Sequence, residues 1–227
     1  MNYNILLVND DGIQSDRLKY AKEVLSKYGK VLVVAPLEEQ SGKSVSISIA
    51  GIKFQKISNY EYAVIGTPAD CVTFALFGLD FKPDIVISGI NKGYNIGIDT
   101  IYSGTVGAAL QASYHGFKAV AFSADYTGMD NMKKYFETTF LYIIKNQLLS
   151  NDYILNVNFP KEVFKDERPI KMTRLFYVKM LLEGKIENDM FIHKRNVIPQ
   201  EIPKDTDVYA LRNGFISISK ISFNKNL

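Results

Sequence analysis

The chain has 227 residues, 47% of them hydrophobic and 22% charged, and its 27 basic and 24 acidic side chains leave a formal net charge of +3. These values exclude a disordered, collagen-like or disulfide-built chain. So small and scattered a positive excess does not argue for a nucleic-acid polymer or a membrane surface as partner. Cys71 is the only cysteine, the first residues carry no basic leader, and no apolar run reaches the ~18 residues of a membrane span. A cytoplasmic protein is expected. With only His115 and His193 as imidazoles, a zinc cage or a Ser-His-Asp triad has little to draw on. Oxygen chemistry from Asp, Ser and Asn is the expected toolkit.

In chain order, Asn4 to Val8 is a nearly continuous apolar run, the mark of a strand buried on both faces. Leu18, Ala21, Leu25 and Tyr28 recur at helical spacing, with Ser15 as N-cap and Gly29 as stop. Val31 to Val34 is a second buried strand, closed by Pro36. Val45 to Ile49 alternates at the strand period, and Ile52–Ile57 with Tyr60–Ile65 reads as a hairpin around Ser58-Asn59. Thr67-Pro68-Ala69-Asp70 has the residues of a capping box with proline in the first turn. Asp84–Ser88 is a strand, Gly104–His115 a small-residue helix stopped at Gly116, Ala119–Phe122 a strand, Asp130–Leu149 a helix and Tyr153–Asn158 a strand. Strands alternating with helices predict an α/β protein with a mainly parallel sheet and helices on both faces.

Residues 161–206 carry charge, prolines and weak periodicity. Thr173–Val178 and Met190–Lys194 are expected to pair as a hairpin across Glu183-Gly184-Lys185, and Phe215–Ile221 to return as an edge strand. The expected organisation is a catalytic core over 1–160 and, over 161–227, an extended arm that is not an independent domain. Cys71 and the scattered aromatic residues read as core and arm contacts, His115 as a helix C-cap and His193 as surface.

In open parallel sheets ligands bind at the carboxyl ends of strands. There this chain places Asn9-Asp10-Asp11-Gly12, Gln40-Ser41-Gly42-Lys43-Ser44 and Ser88 to Asn95. Adjacent carboxylates repel unless a cation sits with them, and an Asp, Ser and Asn oxygen set suits Mg²⁺ or Mn²⁺. The first tetrapeptide also fits an ordinary turn. Gly42-Lys43-Ser44 is not a P-loop, because Leu37 stands where the leading glycine is required. Ser103-Gly104-Thr105 opens a helix whose free amides suit a phosphate, although a plain capped helix reads the same way.

The ordered set of Leu6 to Gly12, Val34 to Gly42, Gly66 to Val72, Ser88 to Asn91, Tyr102 to Ala109, Asn156 to Asn158 and Thr206 to Val208 resembles the SurE survival-protein family of metal-dependent 5′-nucleotidases. The resemblance runs from residue 4 to about 219 and implies a Rossmann-like core. It implies one divalent cation per subunit, Mg²⁺ or Mn²⁺, on Asp10, Asp11, Ser41 and Asn91. Phosphate would lie against Asn95, Ser103, Gly104 and Thr105, and Asp10 and Asp11 would act in catalysis, either of them orienting the attacking water. The implied reaction is hydrolysis of nucleoside 5′-monophosphates, with 3′-monophosphates and short polyphosphate as further substrates. The arm would build a homodimer or homotetramer. Two other classes fit the residues less well: a nucleotide or metal sensor without turnover, and a glycosyl- or nucleotidyl-transferase.

Overall fold

The computed structural model describes residues 2–163 and 169–222. Residue 1 of the expected core, and 164–168 and 223–227 of the expected arm, lie outside the described residues. The elements are β1 (Tyr3–Val8), α1 (Asp16–Leu25), β2 (Gly29–Pro36), β3 (Lys53–Ser58), β4 (Glu61–Ile65), α2 (Pro68–Gly78), β5 (Ile85–Lys92), α3 (Asp99–Tyr102) and α4 (Gly104–Tyr114). They continue with β6 (Ala119–Ala124), α5 (Met129–Lys145), β7 (Ile154–Phe159), β8 (Ile170–Thr173), β9 (Met180–Glu187), β10 (Met190–Val197), α6 (Asp207–Arg212) and β11 (Ile216–Ile221). Nine strands form one sheet in the order β3-β4-β2-β1-β5-β6-β7-β11-β8, and β9 pairs with β10 apart from it. The centre of the sheet, β4-β2-β1-β5-β6-β7, is parallel throughout.

Strand alternation decides what each helix covers. On β1, Ile5 and Leu7 face one layer, with Leu18, Ala21 and Leu25 of α1 and Phe136, Phe140 and Ile143 of α5. Leu6 and Val8 face the other, with Cys71, Val72 and Ala75 of α2 and Val106, Ala108, Ala109 and Ala112 of α4. Aromatic bulk fills the first layer and small residues the second, so α4 lies close against the strands. The α/β arrangement read from the apolar runs is therefore the one observed. Among the described residues no helix is long and apolar enough to cross a membrane.

The capping box at Thr67 and Asp70 is present in full, and His115 is the C-cap of α4. Four expectations are corrected. Val45 to Ile49 is a turn-rich exposed loop, not a strand. Its polar groups are taken by side chains and irregular backbone: the Ser48 amide and hydroxyl both donate to Asp70, and the Thr67 hydroxyl donates to the Ser46 carbonyl. The hairpin turns at Asn188-Asp189, with φ of 49° and 62°, and not at Glu183-Gly184-Lys185. Both turn residues take the left-handed conformation that a two-residue hairpin demands and that Asn and Asp tolerate. Its first strand is accordingly β9, while Thr173 ends β8, which pairs with β11. The returning strand β11 lies inside the sheet between β7 and β8, not at an edge. The long helix α5 stops at Lys145, before Gln147 adopts a φ of 52°.

Candidate active site

The site is built where β1, β2 and β5 end side by side. Asp10 follows β1 and is buried. Its carboxylate accepts the Thr105 hydroxyl on Oδ1 and the Thr105 amide, at 3.2 Å, on Oδ2. It therefore caps the start of α4 from a neighbouring loop. Gly104 leaves room for it: a Cβ there would stand 3.0 Å from the Asp10 Cβ and 3.1 Å from Pro68. Burial pushes Asp10 up to about 6; the Asp11 charge adds to this, and the Thr105 bonds oppose it.

Asp11, half-buried, accepts the Lys92 amide at 3.2 Å. Burial raises its pKa; that amide bond and the nearby Arg17 and Lys92 charges oppose the rise. Asn91 is buried at the end of β5, and its Nδ2 donates to the Gly93 carbonyl at 3.0 Å, which fixes the amide plane. The Gln40 amide donates to the Asp10 carbonyl at 2.7 Å, tying the β2 loop to the β1 loop. The next residue, Ser41, stands exposed at the rim and donates its hydroxyl to Glu39 at 2.7 Å. Asp10, Asp11, Ser41 and Asn91 thus all lie on the loops and strand end at this end of the sheet.

The expected phosphate residues divide into two groups. Ser103 is the N-cap of α4, its hydroxyl accepting the Val106 amide at 3.1 Å. With the Thr105 amide on Asp10, two amides of the helix start are already committed. Asn95 sits deeper. Its Nδ2 donates to Ser123 at 2.8 Å, its amide to Asn158 at 2.8 Å, and its carbonyl accepts from both Asn156 and Asn158. The alternate asparagines of β7 therefore hold the loop that carries Asn95.

The sequence reading missed Arg17. Its guanidinium is buried and donates to the carbonyls of Asn91 at 2.6 Å, Ala124 at 3.2 Å, Asp125 at 2.7 Å and Tyr126 at 3.3 Å. One side chain thus clamps the ends of β5 and β6 together and places positive charge near Asp11. The available signal was its place beside Leu18 on the face that Ala21 and Leu25 bury.

These residues fit a hard divalent ion. Asp10, Asp11, Ser41 and Asn91 offer only oxygen as ligand atoms, and burial raises the cost of ionising both carboxylates. Among the described residues, the buried Asn9 Oδ1, next to Asp10 in the chain, has no hydrogen-bond partner.

An α/β sheet that gathers two carboxylates and a helix start at its strand ends is the framework of a phosphate-handling protein. Comparisons with known proteins narrow this. The structure is similar to the crystal structure of the SurE protein from Aquifex aeolicus, with a TM-score of 0.85 and 32% identity over 98% of this chain and 95% of that one. The chain is 36% identical to 5′-nucleotidase SurE of Clostridium botulinum (strain Loch Maree), covering 97% of this chain and 93% of the relative. It is 34% identical to 5′-nucleotidase SurE of Haemophilus influenzae, covering 96% and 90%. The family model described as survival protein SurE matches residues 5–180, and the chain belongs to the SurE family.

Proposed function

We propose that the chain is a divalent-metal-dependent phosphomonoesterase that hydrolyses nucleoside 5′-monophosphates to nucleoside and phosphate. The observation that carries this reading is the Asp10 carboxylate locked onto the first turn of α4, with Asp11 and Asn91 beside it. The relatives' shared name, 5′-nucleotidase, supports the same reading. Nucleoside 3′-monophosphates and short polyphosphate are further substrates on this proposal.

Asp10, Asp11, Ser41 and Asn91 would hold one ion, Mg²⁺ or Mn²⁺. When bound, it supplies a Lewis acid for a phosphoryl oxygen and lowers the pKa of water. Thr105 holds Asp10 so that both carboxylate oxygens keep a fixed direction. A carboxylate oxygen of Asp10 or Asp11 takes the hydrogen bond of the attacking water and aligns it with phosphorus. Ser103 and Gly104 at the helix start, with Asn95 behind, would stabilise charge on the equatorial oxygens, while Thr105, whose amide and hydroxyl both donate to Asp10, acts through that carboxylate. Asn156 and Asn158 keep Asn95 in place. The protein works in the cytoplasm as a homodimer or homotetramer, and the projecting β9–β10 hairpin is the element that joins the copies. Residues 1–160 form the catalytic core on this proposal and 161–227 the arm.

The test is phosphate release from a panel of nucleoside monophosphates with Mn²⁺, with Mg²⁺ and with EDTA, for wild type and Asp10→Asn. Metal-dependent release that the substitution abolishes is the expected result. Nucleotide binding without release under any metal would instead make the protein a sensor.

A further inference from the structure

Residues 93–98 run from β5 to α3 and carry Asn95. The core holds this loop at Asn95 itself, through Ser123, Asn156 and Asn158. Two residues further on, the arm holds it at Gly97. The Gly97 amide donates to Asp207 Oδ2 at 2.8 Å. The other oxygen, Oδ1, accepts the Phe176 amide at 3.0 Å and the Val208 amide at 2.8 Å. Asp207 is fully buried. A carboxylate removed from water is stable only when its oxygens are bonded, and these backbone amides bond both. Thr206 caps α6, its hydroxyl accepting the Tyr209 amide at 3.3 Å. Asp207 instead reaches the catalytic loop and the arm segment at Phe176, both outside its own helix.

Hydrogen bonding, more than packing, holds this side of the loop. Tyr94, Ile96 and Ile98 border a cavity of about 390 Å³, with Phe176 and Val208 across it. Gly97 has a φ of 48°, and a Cβ there would run into the Phe176 carbonyl, so loop and arm lie backbone to backbone. The arm segment is itself tied to the start of α6: the Asp207 amide donates to the Arg174 carbonyl and the Arg174 amide to the Asp205 carbonyl, each at 3.0 Å. One carboxylate thus joins three stretches of chain at a point two residues from Asn95.

Resting on the nucleotidase reading, we propose that Asp207 is a positioning residue of the active site: from the arm, it fixes the loop whose Asn95 meets the phosphate. Asp207→Asn isolates the contact. Asparagine keeps a carbonyl oxygen for the Phe176 and Val208 amides and turns an NH₂ group toward the Gly97 amide, setting donor against donor. The loop is then released at Gly97 while the arm segment stays bonded.

The test is a double-mutant cycle with Asn95→Ala, on adenosine 5′-monophosphate with Mn²⁺. Asp207→Asn alone should lower kcat about tenfold, with KM and the calorimetric Mn²⁺ affinity changed by less than about twofold. In the Asn95→Ala background the same substitution should lower kcat by less than about twofold, because it acts through Asn95. Equal losses in the two backgrounds, a matching loss of Mn²⁺ affinity, or no loss at all would overturn the proposal; the first two would make Asp207 a general support of the fold. One measurement needs no variant. In hydrogen exchange followed by NMR, the Gly97 amide of wild type should be protected, and exchange at the rate of an unstructured chain refutes the proposal whether or not Asp207→Asn folds. If wild type released no phosphate, the nucleotidase reading would fall. The same cycle read on calorimetric binding of adenosine 5′-monophosphate would still decide Asp207: additive losses of affinity, or no binding, refute it.

Discussion

Thr105→Val isolates the contact on which the site is built. Valine keeps the shape and β-branching of threonine and removes only the hydroxyl that Asp10 accepts. A hydrogen bond to an ionised carboxylate contributes ~2 kcal/mol, and the same bond to the neutral acid ~1 kcal/mol. Removing it therefore costs the ionised form ~1 kcal/mol more, which lifts the pKa of Asp10 by ~0.7. In the wild-type apoprotein, Asp10 at about 6 lies above its ordinary 3.8. The folded state keeps this proton to higher pH than the unfolded chain does. Stability from this group is thus full below pH ~4 and falls by roughly 3 kcal/mol as pH rises through 6. In Thr105→Val the fall should continue to pH ~7. Urea denaturation in EDTA from pH 4.5 to 8 reads this directly: the variant should be ~1 kcal/mol less stable at the acid end and ~2 kcal/mol less at the alkaline end. A difference that is flat across this range would refute the assignment of the hydroxyl to the Asp10 carboxylate.

Mn²⁺ should raise the melting temperature of the wild type strongly at pH 7.5 and weakly at pH 5.5, because below about 6 a proton competes for Asp10; calorimetry with and without EDTA at both values checks it. Arg17→Met should cost ~3 kcal/mol or more in denaturant, since it strips donors from four carbonyls, and Arg17→Lys should recover only part, a single ammonium being unable to span them. Gly107→Ala should destabilise despite the ~1 kcal/mol that alanine gains in a helix, because its Cβ would meet the Ser44 carbonyl at 2.2 Å; faster proteolysis within residues 41–50 is the readout.

The central fold was legible because β1, β2, β5, β6 and β7 are buried on both faces and each carries a largely apolar core-facing run. The strand-end loops followed from that topology, which is why Asp10, Asp11 and Asn91 were singled out as candidates. What failed had other causes. Val45 to Ile49 has the right alternation, yet Asp70 and Thr67 satisfy its polar groups from another element, a contact that local period cannot report. The hairpin register depended on Asn188-Asp189, two turn-forming residues that the glycine at 184 outshone; that glycine serves the Phe191 ring instead. Phe215 to Ile221 reads as half-polar because its serines are buried: Ser217 and Ser219 both bond Thr173 of β8, so the strand is interior and its polar face is satisfied by a neighbour.

The two aspartates are adjacent in sequence but not equivalent in the fold, and this bears on how the site can work. β1 ends with Val8 buried among α2 and α4 residues. Asp10 is held on that same side, against Gly104 and Thr105 at the first turn of α4. Asp11 turns toward the layer of α1, where Arg17 and Lys92 oppose its charge and a polar cleft of about 520 Å³ opens beside it. One carboxylate is therefore buried and held by two hydrogen bonds, and the other is half-buried, with the Arg17 and Lys92 charges opposing the rise that burial causes. On the proposed reading a desolvated anion would attract a cation more strongly, so Asp10 would chiefly set the position of a bound ion. The deeper burial of Asp10 and its place on the α4 side thus make an adjacent acidic pair inequivalent.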